Sequence, residues 1–209
     1  QLSQTDERYQ VRYEKLVRDR ASLHKNAENK LPALKRLLTS LGSDTENLLI
    51  FVSPEQLPPV MLLLKELGIP AHRFTEQEGV RKLAELGGLS QREYILEHFK
   101  KKTYHALTAI SCLDEGIDIP SADKAILLSN STNPREYIQR IGRVIRQAPG
   151  KQRASIYDFI VAPGQDSRLP PQLREFEKKL FEKELVRVKE MAENAINNSD
   201  VRRIIDRMS

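Results

Sequence analysis

Short apolar runs recur along the chain, and amphipathic stretches separate them. The run at residues 48–52 is too short for a typical helix, and a continuous apolar run of this length is typical of a strand buried on both faces of a parallel sheet. Further strands are predicted at residues 71–75, 106–110, 124–128 and 154–160. Strands that alternate with helices in this way predict an α/β fold with right-handed crossovers and a parallel sheet.

Amphipathic segments predict the helices between these strands. Helices are expected at about residues 56–67 and 90–102, each with a glycine or a polar segment after it. Another helix is expected to begin near Asn133 and Pro134, because Asn can cap a helix and Pro fits its first turn. The chain before Gly42 reads as helical, first strongly charged and then with an apolar leucine face.

A turn-rich linker at residues 161–172 precedes a long helix that is predicted to run to about Ile196. The apolar stripe of this helix needs a surface to cover it, either on the same domain or on another part of the protein. The pattern therefore predicts three parts: a helical N-terminal extension at residues 1–42, an α/β domain at residues 43–162, and a linker with a C-terminal helical arm at residues 163–209.

Composition excludes several classes of protein. Hydrophobic residues make up 39% of the 209 residues and charged residues 30%, which is enough for a core, and the apolar runs are far too short to span a bilayer. We therefore expect no membrane partner. A polar start predicts no signal peptide, and a first methionine at Met61 indicates a piece of a longer protein.

Cysteine usage and charge add weaker indications. The lone Cys112 rules out an internal disulfide and points to a reducing compartment, so a cytoplasmic or nucleoid-associated location is expected. The four histidines and this cysteine show no metal-ligand spacing, so no metal site is expected. A net charge of +5 slightly favours a polyanionic partner.

The segment at residues 137–147 carries the strongest chemical signal. If it is helical, Gln139, Arg143 and Arg146 fall within an arc of about 60°, while the opposite side is apolar. Converging guanidinium groups suit phosphate oxygens, and their charge does not titrate away at neutral pH. The alternative is a solvated basic face whose partners are nearby carboxylates.

Two segments together identify a family. Residues 115–120 read Glu-Gly-Ile-Asp-Ile-Pro, and residues 139–146 read Gln-Arg-Ile-Gly-Arg-Val-Ile-Arg. This pair resembles motifs V and VI of the superfamily 2 helicases, whose motif VI pattern Gln/His-Arg-x-Gly-Arg-x-x-Arg has every fixed position present here. The wording Leu-Asp-Glu-Gly-Ile-Asp at residues 113–118 is similar to that of the DNA-translocating branch, which includes restriction-enzyme motor subunits and repair helicases. It is less similar to that of the DEAD-box branch.

The resemblance covers roughly residues 48–160 and implies a RecA-like, P-loop NTPase-like lobe with helices on both faces of its sheet. In this family ATP and Mg²⁺ bind between two such lobes, and the other lobe supplies the phosphate loop and the metal ligands. If the family's roles hold for the matching residues, Arg143 and Arg146 would be the arginine fingers and Gln139 would sense the nucleotide. Gly116 and Asp118 would lie near the ribose; a turn-forming role is the alternative for both.

The resemblance also implies contacts to nucleic acid. Ser53 follows the motif IV strand, where a polar residue touches the backbone, although a Ser-Pro turn accounts for it equally well. Arg92 precedes a helix of the family type, and a solvated helix residue is its alternative. Many relatives have Thr-Asp early in motif V, whereas this chain has Ile110 and Ser111. Ser111 would have to replace the Thr from the next position, where side chains point the other way along a strand.

Two motifs of a complete motor are missing from this chain. The sequence contains no Gly-x-x-x-x-Gly-Lys-Ser/Thr phosphate loop and no Asp-Glu-x-His or Asp-Glu-Ala-Asp box. We therefore expect this chain alone to be inactive and to be the second lobe of an ATP-dependent helicase or translocase. Its expected partners are nucleic acid, with DNA favoured, and the first RecA-like lobe of the same protein. The alternative function is a non-catalytic module that binds nucleic acid or protein.

Overall fold

The computed structural model describes residues 26–110, 122–129, 151–163 and 170–208, together with the single positions 9, 11, 12, 15, 119 and 142. The described residues form two compact units, one up to Phe159 and the other from Ile160 onward. Among them, no helix is both long enough and apolar enough to cross a membrane. The predicted division at residues 42 and 162 stays a prediction.

A parallel sheet of five strands forms the centre of the first unit, as the apolar runs predicted. In the order in which they lie side by side, the strands are β2 (Ala71–Phe74), β5 (Ala106–Ala109), β1 (Leu48–Phe51), β6 (Lys124–Leu127) and β7 (Ser155–Asp158). Every neighbouring pair is parallel. β1 lies in the middle, and all four of its residues are buried, which is why it has no polar position.

Helices cover the sheet through leucine-rich faces. Helix α1 spans Lys30–Leu41 and helix α2 spans Leu57–Glu66. Leu34 and Leu38 of α1 share one hydrophobic core with Leu48 and Ile50 of the central strand. Because side chains alternate along a strand, the neighbouring β1 residues point to the opposite face, and they are also buried. Helix α1, which ends just before Gly42, therefore packs in the same core as the sheet.

Helix α3 spans Gln91–Lys100 and begins with a capping box. The Ser90 hydroxyl accepts a hydrogen bond from the Glu93 backbone N–H, and the Glu93 carboxylate accepts one from the Ser90 N–H. This reciprocal pair satisfies two donors that a helix start otherwise leaves open. Ile95 and Phe99 are the buried side chains of α3.

A small hairpin, which the sequence did not predict, precedes α3. It consists of β3 (Lys82–Leu83), a 3₁₀ turn at Ala84–Leu86, and β4 (Leu89–Ser90). Gly87 and Gly88 close it with φ angles of 66° and 82°, a region that glycine enters at no steric cost. The strands are too short for their periodicity to show in the sequence.

The second unit contains two helices, α4 (Pro171–Ala192) and α5 (Asn198–Met208). They share a core of Phe181, Leu185 and Ile205. A single helix was predicted to run to about Ile196, and this prediction was wrong at the helix end, because α4 ends at Ala192 and a second helix follows. The chain turns after α4, and the Asn198 side chain donates to the Glu193 carbonyl, because asparagine side chains compete for backbone groups and favour turns.

Candidate nucleotide and nucleic-acid interface

Most of the predicted site residues lie outside the described residues. These are Ser111, Gly116, Asp118, Gln139, Arg143 and Arg146. Of the two motifs that contain them, the structure describes Ile119, which is 1% exposed, and the half-buried Gly142. The nucleotide-binding and catalytic roles of the six residues stay predictions, and so does the helix expected near Asn133.

The described strands nevertheless fix where the two motifs enter the fold. Motif V follows β5 along the chain, and motif VI follows β6. Both strands lie beside β1 and run parallel to it, so all three end at the same edge of the sheet. Open α/β sheets bind their ligands outside this carboxyl edge.

Ser53 lies at this carboxyl edge, just after β1, and it is buried. Its hydroxyl donates a 2.7 Å hydrogen bond to the Asn26 side-chain oxygen and accepts one from the Gln56 backbone N–H. The Ser53 backbone N–H in turn donates to the Gln56 side chain. A serine hydroxyl has a single proton to donate, and here that proton goes to Asn26. These bonds favour the turn-forming role, and a nucleic-acid contact by Ser53 stays a prediction.

Lys30 anchors the start of α1 to the same edge. Its ammonium group donates a 2.8 Å hydrogen bond to the Leu128 backbone carbonyl, just beyond β6. Lys30 is 6% exposed. Together with the Asn26–Ser53 bond, this contact ties the residues before and at the start of α1 to the ends of two adjacent strands. The sequence analysis had assigned no role to either Asn26 or Lys30.

Arg92 lies in the first turn of α3 and is half-buried. Its guanidinium donates from Nε to the Glu78 carbonyl at 3.0 Å and from Nη2 to the Thr75 carbonyl at 3.4 Å. The side chain therefore holds the segment between β2 and β3 against α3. This arrangement differs from a solvated helix residue, and the predicted contact to nucleic acid stays a prediction.

Glu78 organises the polar end of β2. Its carboxylate is buried and accepts hydrogen bonds from the Thr75 backbone N–H and hydroxyl. The Arg73 Nε donates to the same carboxylate at 3.1 Å. These hydrogen bonds tie the Glu78 side chain to β2 and to the turn after it, so its carboxylate serves the local structure.

Ion pairs lie at the opposite, amino edge of the sheet, where they stabilise the structure. Lys124, at the start of β6, contacts Asp44 at 2.8 Å and Asp123 at 3.1 Å. Burial alone would lower the pKa of Lys124, but the hydrogen bonds and charges of the two aspartates outweigh it and raise the pKa. This lysine therefore stays protonated, which makes it unsuitable as a general base.

The described residues offer no set of metal ligands, since they contain no group of three or more His, Cys, Asp or Glu side chains that could hold a metal ion. The model of the family described as "Helicase conserved C-terminal domain" matches residues 29–148. The chain belongs to this family. The resemblance inferred from the two motifs is thereby confirmed.

Relatives and solved structures agree with the family. The chain is 26% identical over 151 residues to "DNA 3'-5' translocase XPB2" of Sulfurisphaera tokodaii, covering 72% of this chain and 30% of that protein. It is 37% identical over 70 residues to "ATP-dependent DNA helicase MPH1" of Scheffersomyces stipitis, covering 32% of this chain and 7% of that protein. The chain thus spans less than a third of the length of either relative.

Two solved structures show the same fold. The C-terminal part of the Fun30 ATPase domain superimposes with a TM-score of 0.54 at 20% identity, over 77% of this chain and 55% of that one. The C-terminal domain of the DEAD-box protein Dbp5 gives 0.50 at 21% identity, over 75% and 81%. The predicted RecA-like parallel sheet is confirmed.

Proposed function

We propose that this chain is the second motor lobe of an ATP-dependent helicase or translocase that acts on nucleic acid, with DNA favoured. The observation that carries the proposal is the family match over residues 29–148, in a segment where every fixed position of motif VI is present. The relatives named as a DNA translocase and a DNA helicase support DNA as the partner. The proposed place of action is the cytoplasm or the nucleoid.

ATP with Mg²⁺ would bind between this lobe and a first RecA-like lobe, which supplies the phosphate loop and the metal ligands. On this chain, Arg143 and Arg146 would reach the γ-phosphate, and Gln139 would sense the nucleotide. A positioned cation stabilises the charge that develops on the transferred phosphoryl group, and an arginine finger raises the rate roughly a thousandfold or more. Gly116 and Asp118 would lie beside the ribose and the motif VI arginines.

The nucleic-acid side of the proposal concerns the carboxyl edge of β1, β2 and β5. Motor lobes of this kind would contact phosphate and sugar, so sequence preference should be weak. Ser53 and Ser111 are proposed to contact the strand there. Arg92, in the first turn of α3, is the third residue proposed to contact nucleic acid.

The test is nucleic-acid-stimulated ATPase activity of the full-length protein, comparing wild type with Arg146→Ala. Arg153→Ala is the matched control, because Arg153 is exposed and lies outside motif VI. The 209-residue chain is assayed in parallel. We expect a loss of roughly a thousandfold in Arg146→Ala, full activity in Arg153→Ala, and no turnover by the chain alone.

Other outcomes would change the assignment. Full activity in Arg146→Ala would remove the arginine-finger role and leave a basic binding face. A full-length protein that binds nucleic acid without hydrolysing ATP would favour the non-catalytic module. Turnover by the 209-residue chain would mean that it contains a complete active site of its own.

A further inference from the structure

A cavity of about 500 Å³ lies across the outer edge of strand β2. We call it the edge cavity. Its walls come from α2, the hairpin before α3, and α3 itself, and its lining includes Met61, His72, Arg73, Leu86, Gln91 and Tyr94. This volume lies within the range of pockets that bind small organic groups.

A row of four rings borders the edge cavity; we call it the ring row. Tyr94 lines the cavity and packs on His98, with ring centres 3.9 Å apart. His98 packs on Tyr104 at 5.7 Å, and Tyr104 packs on His72 at 5.1 Å. All four rings are half-buried, and two of them, Tyr94 and His72, line the cavity itself.

The edge of β2 beside the cavity is already occupied by hydrogen bonds. The Pro70 carbonyl accepts from the Ala106 N–H of β5, so by alternation the backbone groups of Arg73 and Thr75 face away from the sheet. The His72 ring contacts the Arg73 carbonyl, and the Glu78 carboxylate accepts from the Thr75 N–H. An added β-strand would have to displace these partners. Recognition of a ligand in the edge cavity can instead use the side chains that line it.

Two donor groups remain available at the cavity. Gln91 accepts from the Gly79 N–H through its oxygen, and within the described part of the chain its amide nitrogen donates to no group. Arg73 uses Nε for Glu78, and its two terminal nitrogens make no hydrogen bond to the residues described. The Arg73 side chain is 56% exposed. These donors suit a group with acceptor atoms in one plane.

The charge balance favours an uncharged ligand group. The Glu78 carboxylate lines the cavity and offsets the Arg73 charge at 3.1 Å, so a phosphate would gain little net attraction there. The walls at Met61, Leu86 and Ile95 are apolar. The bases of single-stranded nucleic acid are planar and uncharged, and they carry several acceptor atoms. They stack on aromatic rings and on guanidinium planes.

We propose that the edge cavity, with Tyr94 backed by the ring row and with Arg73 and Gln91 as donors, binds an unpaired base of single-stranded nucleic acid. This inference rests on the proposed function only in that the full-length protein binds nucleic acid. The site lies on the outer edge of β2 and uses none of the motif V and VI residues. Its ligand is the base, whereas the carboxyl edge is proposed to face phosphate and sugar.

The test compares binding of two fluorescent strands of equal length to the full-length protein: oligo(dT) and an abasic strand with the same backbone. Tyr94→Leu removes the ring, and Leu86→Trp fills the cavity without removing a polar contact. Tyr9→Leu is the matched control, because Tyr9 is 69% exposed and outside the ring row. Binding is measured by anisotropy, and folding of each variant is checked by thermal melting.

We expect Tyr94→Leu and Leu86→Trp each to weaken oligo(dT) binding about five- to a hundredfold, as loss of one stacked base does. Neither variant should change binding of the abasic strand, and Tyr9→Leu should match wild type with both strands. Unchanged oligo(dT) binding in both variants would overturn the proposal. Equal weakening for both strands would also overturn it, since the contact would then be to the backbone. The proposed motor function is tested separately, by the Arg146→Ala ATPase assay.

Discussion

The buried ammonium of Lys30 donates a 2.8 Å hydrogen bond to the Leu128 carbonyl, which joins the first residue of α1 to the end of β6. A cation at a helix N-terminus opposes the helix dipole, and burial of an ammonium group costs free energy unless it is hydrogen-bonded. The hydrogen bond to the Leu128 carbonyl reduces the cost of burying this group. This hydrogen bond therefore holds the start of α1 against the carboxyl edge of the sheet.

Replacing this lysine should destabilise the first unit. Lys30→Met keeps the length of the side chain but leaves the Leu128 carbonyl buried without this donor, so we expect a loss of about 2 kcal/mol in the free energy of unfolding. Urea denaturation of the 209-residue chain measures it. Lys35→Met, on the exposed face of the same helix, should leave the transition midpoint unchanged. Equal transition midpoints for the two variants would show that the Lys30–Leu128 hydrogen bond does not stabilise the first unit.

Arg92 provides a second test, because its structural and nucleic-acid roles make different predictions. Arg92→Ala removes both bonds to the carbonyls of Thr75 and Glu78, and we expect about 2 kcal/mol of lost stability. Lys100→Ala, at the exposed end of the same helix, is the control and should change little. A variant of unchanged stability that binds nucleic acid more weakly, with a shallower salt dependence, would instead assign Arg92 to a phosphate contact.

The central strands could be predicted because their sequence signal is local. β1 is apolar over the whole strand, and β5 and β6 are apolar except for Thr108 and Lys124, as expected for strands buried on both faces of a parallel sheet. The hairpin before α3 carries no such signal, since each of its strands has two residues. The end of α4 was not predicted because the apolar stripe continues to Ile196, whereas the helix ends at Ala192 and the Asn198 side chain donates to the Glu193 carbonyl.

The carboxyl edge was only partly predictable, for a different reason. Ser53 follows from the position of motif IV, but its partner Asn26 comes from a segment without a motif. Lys30 did leave a signal, since it lies four and eight residues before the buried Leu34 and Leu38, and this spacing places it on the buried face of α1. The ring row left none: its members come from β2, α3 and the loop before β5, and only the fold brings them together.

The capping box of α3 predicts a pH dependence. Hydrogen bonds from the backbone N–H and then the side chain of Ser90 lower the pKa of Glu93 below its ordinary value of 4.5. Because the folded-state pKa is the lower one, the stabilisation is fully present above pH 4.5 and is lost as the pH falls through the folded-state value. Glu93→Gln keeps an uncharged acceptor at this position.

The melting temperature of wild type should therefore exceed that of Glu93→Gln at pH 7, and the difference should shrink as the solution is acidified below the ordinary pKa of Glu93. Thermal melting across this range measures it. Glu85→Gln is a suitable control, since Glu85 is exposed in the hairpin. A difference that stays constant with pH would show that the charge of Glu93 contributes nothing to the cap.

Helix α4 contains two ion pairs that should behave differently. Glu184 and Arg187 are joined at 2.8 Å with side chains only 8% and 10% exposed, whereas Glu175 and Lys179 are joined at 2.9 Å with side chains about two-thirds exposed. Exposed pairs are screened by water and contribute little. Removing one member of a buried pair leaves the other charge without compensation, which costs about 3–5 kcal/mol.

We therefore expect Arg187→Met to lower the stability of the second unit by about 3 kcal/mol, while Lys179→Met leaves it unchanged. Amide hydrogen exchange along α4 reports this unit separately from the sheet. The double replacement Glu184→Leu with Arg187→Leu should recover most of the loss, because it removes both buried charges together. If the double variant were as unstable as Arg187→Met, loss of packing by the arginine stem, and not the unpaired carboxylate, would be the cause.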